Sequence, residues 1–540
     1  MPYRPFSRGD RSIHLFARHL VLRPDAPGAA LVTRLRALPS RHHGTYTWPG
    51  VIRAGMTLSL AKRAALWGER TALVAPDGDT RFSYAALADR ARAAAGRFAA
   101  WGLSPGDRIL LLTRNRVSTL VGLFGARQLG VTLAPVSPRL APDTVATLTD
   151  RIDPTLIVHE AAFADLASAI PRATLDLETF LGRQPSSRLT AEALDGGDAP
   201  PLFLHTGGTT GTPTVVPVSE SQLEWNAITE SVAWGLDETT VSVPLLPLYH
   251  TGGWNLLTLP TLYAGGTVVL PRAFDAGQAL DLVETHGATQ LFGVAAMYRS
   301  LADHPDFAST DLSSLDWAMS GGGPCPESVM EPFRERDVPF VQGYGLTEGG
   351  PNNLYVSPAR ADRDAKADRV GRPFPDCEAR LVDEVGEVVE GHGTGELELS
   401  GPVTATGYLA VEDGTFRDDG WVRTGDLAHR DEDGDYAIVG RVDNAFDSGG
   451  ETVYPERVEE TLATHPDVAA VGVLPISHEH WGAVPKAIVV GAVDRQALLD
   501  FAEEHLAEYE QPAEYELVDE LPEAGPGKVD RDALVERYGE

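Results

Sequence analysis

A loop rich in glycine and threonine follows the apolar residues 202–204. Its backbone can approach a ligand closely and offers N–H donors and hydroxyl groups, a combination that suits the wrapping of a polyphosphate. An ordinary glycine-threonine turn is the alternative, because glycine-rich matches are weak signals without context. A Walker-type loop is excluded, since no Lys-Ser or Lys-Thr pair follows the last glycine. The residues that we predict to contact phosphate are Thr206, Gly207, Gly208, Thr209, Thr210 and Gly211.

Four further short stretches follow this loop in order. They read QGYGLTE (342–348), TGD (424–426), GRVD (440–443) and GPGK (525–528). With these five stretches the chain, from Thr57 to the C-terminus, resembles the adenylate-forming superfamily of acyl-CoA synthetases, adenylation domains and luciferases. The resemblance implies an AMP-forming ligase that uses ATP to activate a carboxylic acid and transfers the acyl group to coenzyme A. The stretches YHTGGWN (249–255) and SGGGPCP (320–326) resemble those of fatty-acid ligases more than those of aryl-acid ligases.

The resemblance also implies roles for individual residues of a nucleotide site. The loop from Thr206 would wrap the β- and γ-phosphates, and Thr209 with Glu348 would hold Mg²⁺, which prefers oxygen ligands. Thr347 belongs to the same motif and is assigned with Glu348 to catalysis. Asp426 would bind the ribose hydroxyls with help from Arg441. The residues predicted to flank the adenine are Gly322, Gly323, Gly343, Tyr344 and Gly345.

The same resemblance assigns catalysis and domain movement to other positions. Lys528 would bridge the substrate carboxylate and the α-phosphate, and His250 would gate the passage between the acyl pocket and the ATP site. Asp443 matches the hinge about which the C-terminal domain swings between the two half-reactions. Gly449 and Gly450 would approach the pantetheine arm of coenzyme A. The plainer alternatives are a solvated loop lysine for Lys528, a packed core histidine for His250 and an ordinary turn for the two glycines.

Three positions depart from the family pattern. Thr214 stands where a lysine usually follows the phosphate loop, Asp447 replaces an apolar or lysine residue near the hinge, and Glu523 replaces a basic residue before GPGK. Without this lysine, one positive charge that would face the pyrophosphate is missing. The alternatives that stay open are an aryl-acid or o-succinylbenzoate–CoA ligase, an acyl-AMP ligase that feeds a carrier protein, and a nucleotide-binding homologue without turnover.

The composition indicates the cellular environment of the protein and the kinds of partner that it can bind. The 540 residues include 77 acidic and 45 basic ones, and only four of the basic residues are lysines. A net charge of −32 disfavours a nucleic-acid partner and, with so little lysine, indicates a salt-rich halophilic cytoplasm; an acidic mesophilic protein is the alternative. We find no apolar run long enough to span a bilayer, and two cysteines fit a reducing compartment. The expected ligands are a small carboxylic acid, ATP and coenzyme A, with a homodimer as one option for assembly.

The elements that must position these residues follow an α/β pattern. Strand signals at 108–113, 131–134, 267–270, 290–294 and 339–342 alternate with helices such as 120–129, which predicts layered, largely parallel sheets. Short strands from Glu378 predict a small β-rich subdomain, and the helix 494–505 belongs to a small, mobile α+β domain. We therefore predict an adenylation domain over 56–440 and a C-terminal domain over 441–540. Residues 1–55 carry nine arginines, two aspartates and no glutamate, and are interpreted as a disordered or wrongly assigned start, or alternatively as a basic arm.

Overall fold

The structure, a computed structural model, describes residues 58–78, 80–182, 199–206, 213–357, 360, 369–478, 480–525 and 528–539. It is an α/β fold with a large N-terminal part built on layered sheets and a small C-terminal part. The predicted segment 1–55 lies outside the described residues. In the part that is described, we find no helix that is both long and apolar enough to cross a membrane.

The first sheet has the strand order β6-β5-β3-β4-β7-β8. Its strands are parallel except for β8, which returns beside β7 as an antiparallel hairpin partner. Helices between the strands supply the crossovers that parallel pairing requires. The strands are β3 (Arg108–Leu112), β4 (Thr132–Pro135), β5 (Leu156–His159), β6 (Thr174–Asp176), β7 (Leu202–Thr206) and β8 (Thr214–Val218).

The second sheet has the order β15-β14-β13-β12-β11-β9-β10-β1-β2. Its central strands are parallel, and its two edges are closed by antiparallel strands. A core of aliphatic and aromatic side chains, including the fully buried Tyr298, packs between this sheet and its helices. The strands are β1 (Thr71–Ala75), β2 (Thr80–Ser83), β9 (Val241–Pro244), β10 (Thr267–Val269), β11 (Gln290–Gly293), β12 (Trp317–Ser320), β13 (Phe340–Tyr344), β14 (Leu354–Tyr355) and β15 (Arg372–Pro373).

Two further groups of strands lie towards the C-terminus. The predicted β-rich subdomain is an antiparallel sheet of β16 (Glu378–Val382), β17 (Gly393–Ser400), β18 (Val422–Arg430) and β19 (Tyr436–Arg441). The last part of the chain forms a sheet with the order β21-β20-β23-β22, with β24 beside β23, and a separate short hairpin. Its strands are β20 (Phe446–Ser448), β21 (Glu451–Val453), β22 (Val468–His478), β23 (Gly482–Gly491), β24 (Glu514–Leu517), β25 (Glu523–Gly525) and β26 (Lys528–Val529).

The helices cover the faces of these sheets. The predicted helix 120–129 begins earlier, at Val117, and the predicted helix 494–505 begins at Arg495 because the Asp494 side chain caps it by accepting the N–H of Ala497 at 3.0 Å. The helices are α1 (Leu60–Trp67), α2 (Tyr84–Ala100), α3 (Val117–Leu129), α4 (Pro142–Ile152), α5 (Ala164–Ser168), α6 (Leu177–Gly182), α7 (Glu220–Trp234), α8 (Thr251–Asn255), α9 (Thr258–Ala264), α10 (Ala276–His286), α11 (Ala295–Ala302), α12 (Glu327–Arg334), α13 (Pro455–Ala463), α14 (Arg495–His505) and α15 (Arg531–Tyr538), with a 3₁₀ turn at Ala161–Phe163.

Candidate functional site

The predicted ribose-binding pair is brought together by strand register. Asp426 on β18 lies directly opposite Arg441 on β19. The Arg441 guanidinium donates from Nη1 to Asp426 Oδ1 and to the backbone carbonyl of Thr424, each at 2.8 Å. The intervening Gly425 has φ +68°, and a Cβ there would lie 2.7 Å from Arg441 Nη2. The left-handed backbone at this position therefore favours glycine.

Tyr344, the last residue of β13, joins the same group from the second sheet. Its hydroxyl donates to Asp426 Oδ2 at 2.5 Å, so the two carboxylate oxygens each accept a different side chain. Burial first, and the Asp426 carboxylate second, raise the pKa of Tyr344 well above its usual value. Each carboxylate oxygen can accept further hydrogen bonds, which leaves Asp426 able to bind a diol.

The glycines predicted near the adenine surround this end of the sheet. Gly322 and Gly323 lie in the loop after β12, where Gly322 has φ +80°. Gly343 precedes Tyr344 in β13, and a Cβ on Gly345 would lie 1.5 Å from the carbonyl oxygen of Pro351. Close backbone packing thus accounts for Gly345 without a ligand.

The predicted metal ligand Glu348 lies in the turn after β13, next to Thr347. The residue is 8% exposed; its carboxylate accepts the Tyr408 hydroxyl at 2.7 Å, and its backbone carbonyl accepts the N–H of Ala405 at 2.7 Å. In the described part of the chain we find no group of three or more His, Cys, Asp or Glu side chains that could hold a metal. A single carboxylate fits Mg²⁺ bound through substrate phosphates and water better than a metal held by the protein alone.

The foot of the predicted phosphate loop is formed by β7 and β8. Thr206 and Thr214 face each other, with 2.6 Å between their Oγ1 atoms. The position of the missing lysine is therefore directly at the end of the loop. Arg151, at the end of α4, donates from Nη1 to the carbonyl oxygen of Pro213 at 2.5 Å, which places a cation at the same foot. The predicted phosphate contacts Gly207, Gly208, Thr209, Thr210 and Gly211 lie outside the described residues.

His250 lies directly before α8, in a cluster of rings. Its ring centroid is 4.7 Å from that of Tyr249 and 5.9 Å from that of His205, which lies one residue before the end of β7, the strand leading to the phosphate loop. His205 is buried, and its Nε2 accepts the backbone N–H of Ser137 at 3.2 Å. Burial, and then the nearby His250, lower the pKa of His205 to about 3. The ring at position 205 is therefore neutral, and it connects the predicted gate to the phosphate loop.

Buried amides link the segments that follow His250 and Glu348. Asn352 Nδ2 donates to the Asn255 carbonyl at 3.0 Å and to Asn226 Oδ1 at 3.4 Å, and Asn255 Nδ2 donates to the carbonyl of Gly350 at 3.4 Å. Within the described residues, Asn255 Oδ1 and Asn352 Oδ1 are buried acceptors without a hydrogen-bond partner. This polar interior connects α7, α8 and the turn that carries Glu348.

The C-terminal predictions fall on short turns. Asp443 follows β19, with its carboxylate 3.9 Å from Arg441 Nη2. Gly449 and Gly450 form the two-residue turn between β20 and β21, with φ +68° and +97°. Such turns favour glycine at both positions, and a Cβ on Gly449 would also lie 2.2 Å from Trp481. Turn geometry therefore explains both glycines without coenzyme A. The backbone of Lys528 begins β26, while its side chain lies outside the described part.

Several residues of the site were not predicted from the sequence, among them Thr424, Tyr408 and His205. The Thr424 hydroxyl accepts the Asp426 N–H at 3.0 Å, Tyr408 supports Glu348, and His205 contacts the gate ring. Thr424 could have been identified from the TGD motif itself, and His205 from its place before the phosphate loop. Tyr408 lies 60 residues from Glu348, and no sequence spacing indicates that contact.

Two family models match this chain, and several known proteins are similar to it. The family model described as AMP-binding enzyme matches residues 60–409, and that described as AMP-binding enzyme C-terminal domain matches residues 457–528. A feruloyl-CoA synthase of Amycolatopsis sp is 33% identical over 512 residues, which cover 92% of this chain and 100% of that protein. An indoleacetate–CoA ligase of Aromatoleum aromaticum is 34% identical over 87% of this chain and 96% of its own length.

A solved structure shares the fold. The o-succinylbenzoate CoA synthetase from Bacillus subtilis, in complex with its acyl-adenylate intermediate, has a TM-score of 0.80 and 28% sequence identity. The match covers 88% of this chain and 97% of that chain.

Proposed function

This chain belongs to the AMP-binding enzyme family, and on that premise we propose that it is an AMP-forming acid–CoA ligase. In the first half-reaction, a carboxylate oxygen attacks the α-phosphorus of ATP and pyrophosphate leaves. In the second, the thiol of coenzyme A attacks the acyl carbon and AMP leaves. The observation that carries the proposal is the Asp426 carboxylate held between Arg441 and Tyr344, since it offers a fixed anionic acceptor for a ribose diol.

The nucleotide is held, in this proposal, by residues at the ends of β7, β13 and β18. Asp426 accepts the ribose hydroxyls, Tyr344 and Gly322, Gly323, Gly343 and Gly345 border the adenine, and the loop from Thr206 wraps the phosphates. Glu348 and Thr209 would hold Mg²⁺, which would supply positive charge to the phosphates. Arg151, at the loop foot, supplies positive charge where Thr214 replaces lysine.

The acid is oriented by the gate residue His250, and movement of the C-terminal domain admits the thiol. His250, backed by the neutral ring of His205, orients the acid beside the α-phosphate. Lys528 stabilises the charge that develops on the carboxylate and the phosphate. Rotation at Asp443 then exchanges Lys528 for the turn at Gly449 and Gly450, which makes room for the thiol.

The acid class has two candidates. The motif resemblance favours a fatty acid. An aryl acid that carries a hydroxyl or N–H donor is favoured by a different observation: the amide network of Asn226, Asn255 and Asn352 contains orphaned acceptors, to which such a donor can hydrogen-bond and an aliphatic chain cannot. The names of two relatives, feruloyl-CoA synthase at 33% identity and indoleacetate–CoA ligase at 34%, agree with the second candidate, whereas a fatty acid–[acyl-carrier-protein] ligase at 31% identity agrees with the first.

We also propose the setting in which the enzyme works. Its net charge of −32 and scarcity of lysine fit a halophilic cytoplasm, in which salt screens the self-repulsion. A homodimer is proposed as an assembly, and the boundaries 1–55, 56–440 and 441–540 as its organisation. Light scattering at several KCl concentrations tests the assembly directly.

The decisive experiment measures carboxylate-dependent AMP formation with and without coenzyme A, in molar KCl. The acids are acetate to palmitate, benzoate, ferulate, indoleacetate and succinylbenzoate. Lys528→Ala should lower kcat/KM by about 10²–10³-fold, the usual effect of removing one group that stabilises transition-state charge. Lys62→Ala, on the exposed face of α1, is the matched control and should leave the rate unchanged.

The outcomes separate the alternatives. Turnover that requires coenzyme A establishes the ligase, and the preferred acid identifies its class. Adenylate that accumulates equally without coenzyme A would favour transfer to a carrier protein. ATP binding with no AMP from any acid would contradict the proposal and favour a homologue without turnover.

A further inference from the structure

A cavity of about 320 Å³ lies between the first sheet and the helices that cover it, and it contains no residue of the nucleotide site. It is bounded by α2, α3, β3, β4 and α6, and none of its lining residues is among those proposed for catalysis or nucleotide binding. The cavity is partly open to the protein surface. Its volume lies at the lower end of small-molecule pockets, which span about 300–1,000 Å³.

The cavity is kept open by small residues on facing helices. Gly122 of α3 lies on its wall, and a Cβ built there meets no atom within 4 Å. One turn later, α3 touches α2 so closely that a Cβ on Gly125 would lie 2.7 Å from Ala94 Cβ and 2.9 Å from the Ala95 nitrogen. The close contact at Gly125 prevents the helices from moving together to fill the space at Gly122. The cavity is therefore a fixed feature of this helix pair.

The lining combines an apolar body with a cationic rim. Phe98, Ile109, Leu111, Leu133 and Phe180 are buried apolar side chains on its walls. Two guanidinium groups, those of Arg90 and Arg97, also line it, and among its described lining residues there is no carboxylate.

The two arginines lie on one face of α2. They are seven residues apart, so they project from the same side about two helical turns from each other. The Arg90 guanidinium carbon lies 4.6 Å from the centroid of the Phe82 ring, which holds the charge at the rim. Planar guanidinium groups bind carboxylates through paired hydrogen bonds, whereas a neutral head group gains no such contact.

We propose that this cavity is a second binding site that takes an aliphatic carboxylate, with its chain between α2 and α3 and its head group against Arg90 and Arg97. A dry cavity of about 150 Å³ accepts benzene, so a cavity of about twice that volume accommodates a chain of roughly ten carbons. The site is independent of the acid that the ligase activates, and it does not require ATP.

The test is isothermal titration of the full chain with decanoate below its micelle concentration, without ATP. Gly122→Leu fills the cavity and should reduce the number of decanoate sites by one. Gly122→Ala is the matched control and should retain the site, because its Cβ enters open space. Ala93→Leu fills the cavity from the opposite wall and decides the question if Gly122→Leu does not fold.

The head-group assignment is tested separately. Arg90→Gln combined with Arg97→Gln should weaken decanoate binding to this site at least tenfold, and decanol should bind the wild-type protein at least tenfold more weakly than decanoate. AMP formation by every variant reports the active site, so failure of the ligase proposal is distinguishable from failure of this one. An unchanged number of sites in both filled variants, or equal binding of decanol and decanoate, would overturn the proposal.

Discussion

The buried ring of His205 makes the stability of the large domain depend on pH. Its pKa is lowered from 6.5 to about 3, first by burial and then by His250. In the unfolded chain this histidine gains a proton as the pH falls through about 6.5, while in the folded protein it stays neutral until about pH 3. The stability that it contributes is therefore fully present above pH 6.5 and is lost as the pH falls towards 3.

The size of the effect follows from these two pKa values. At pH 5 the solution is about 1.5 pH units below the pKa of this histidine in the unfolded chain. Each unit corresponds to about 1.4 kcal/mol of proton binding to the unfolded chain. Acidification from pH 7.5 to pH 5 therefore lowers the free energy of unfolding by about 2 kcal/mol. His205→Gln keeps an acceptor for the Ser137 N–H but does not titrate. The wild-type protein should therefore lose about 2 kcal/mol more than this variant over the same interval.

Urea unfolding at pH 7.5 and pH 5, in concentrated KCl and followed by tryptophan fluorescence, measures this difference. His480→Gln, at an exposed position, shows what the removal of a histidine does by itself. If the wild-type protein and His205→Gln lose the same stability on acidification, the ring is not held neutral by its surroundings and the reasoning is refuted.

Three other side chains give further predictions. Asp426→Asn should lower kcat/KM for ATP by about 10–100-fold, because charge-assisted hydrogen bonds contribute about 1.5–3 kcal/mol; unchanged ATP kinetics would contradict the ribose role. Tyr408→Phe removes the donor to Glu348 and should shift the Mg²⁺ dependence of AMP formation several-fold, whereas a shift in the acid KM alone would argue against a metal ligand. Burial raises the pKa of Glu230, whose oxygens have no hydrogen-bond partner among the described residues, so stability falls as the pH rises above about 4.5. Glu230→Gln should raise the melting temperature more at pH 8 than at pH 5, and an equal change at both values would show that the carboxyl is not the cause.

Local patterns predicted the elements well, since the strand signals at 108–113 and 290–294 lie on β3 and β11. Contacts between different sheets, in contrast, could not be predicted from local sequence patterns. Tyr344 and Asp426 are 82 residues apart, and only the arrangement of two sheets brings the phenol to the carboxylate. The burial of His205 likewise arises from tertiary packing, which no periodicity in the sequence reports.

For two glycines, the sequence interpretation assigned a functional role where backbone geometry alone is a sufficient explanation. Gly449 and Gly450 were interpreted through coenzyme A, but a tight turn beside Trp481 requires glycine by backbone conformation alone. A motif residue can thus be demanded by local geometry even where a functional role is also proposed for it.

The glycine of the TGD motif extends this distinction to other chains with the same strand register. Gly425 is favoured by its left-handed backbone, with φ +68°, whether or not a nucleotide ever binds. A descendant of this fold that had lost its chemistry would still favour glycine there, because the backbone is left-handed at that position. The glycine is thus a signature of architecture, and the neighbouring carboxylate is the better diagnostic of whether such a protein is an enzyme.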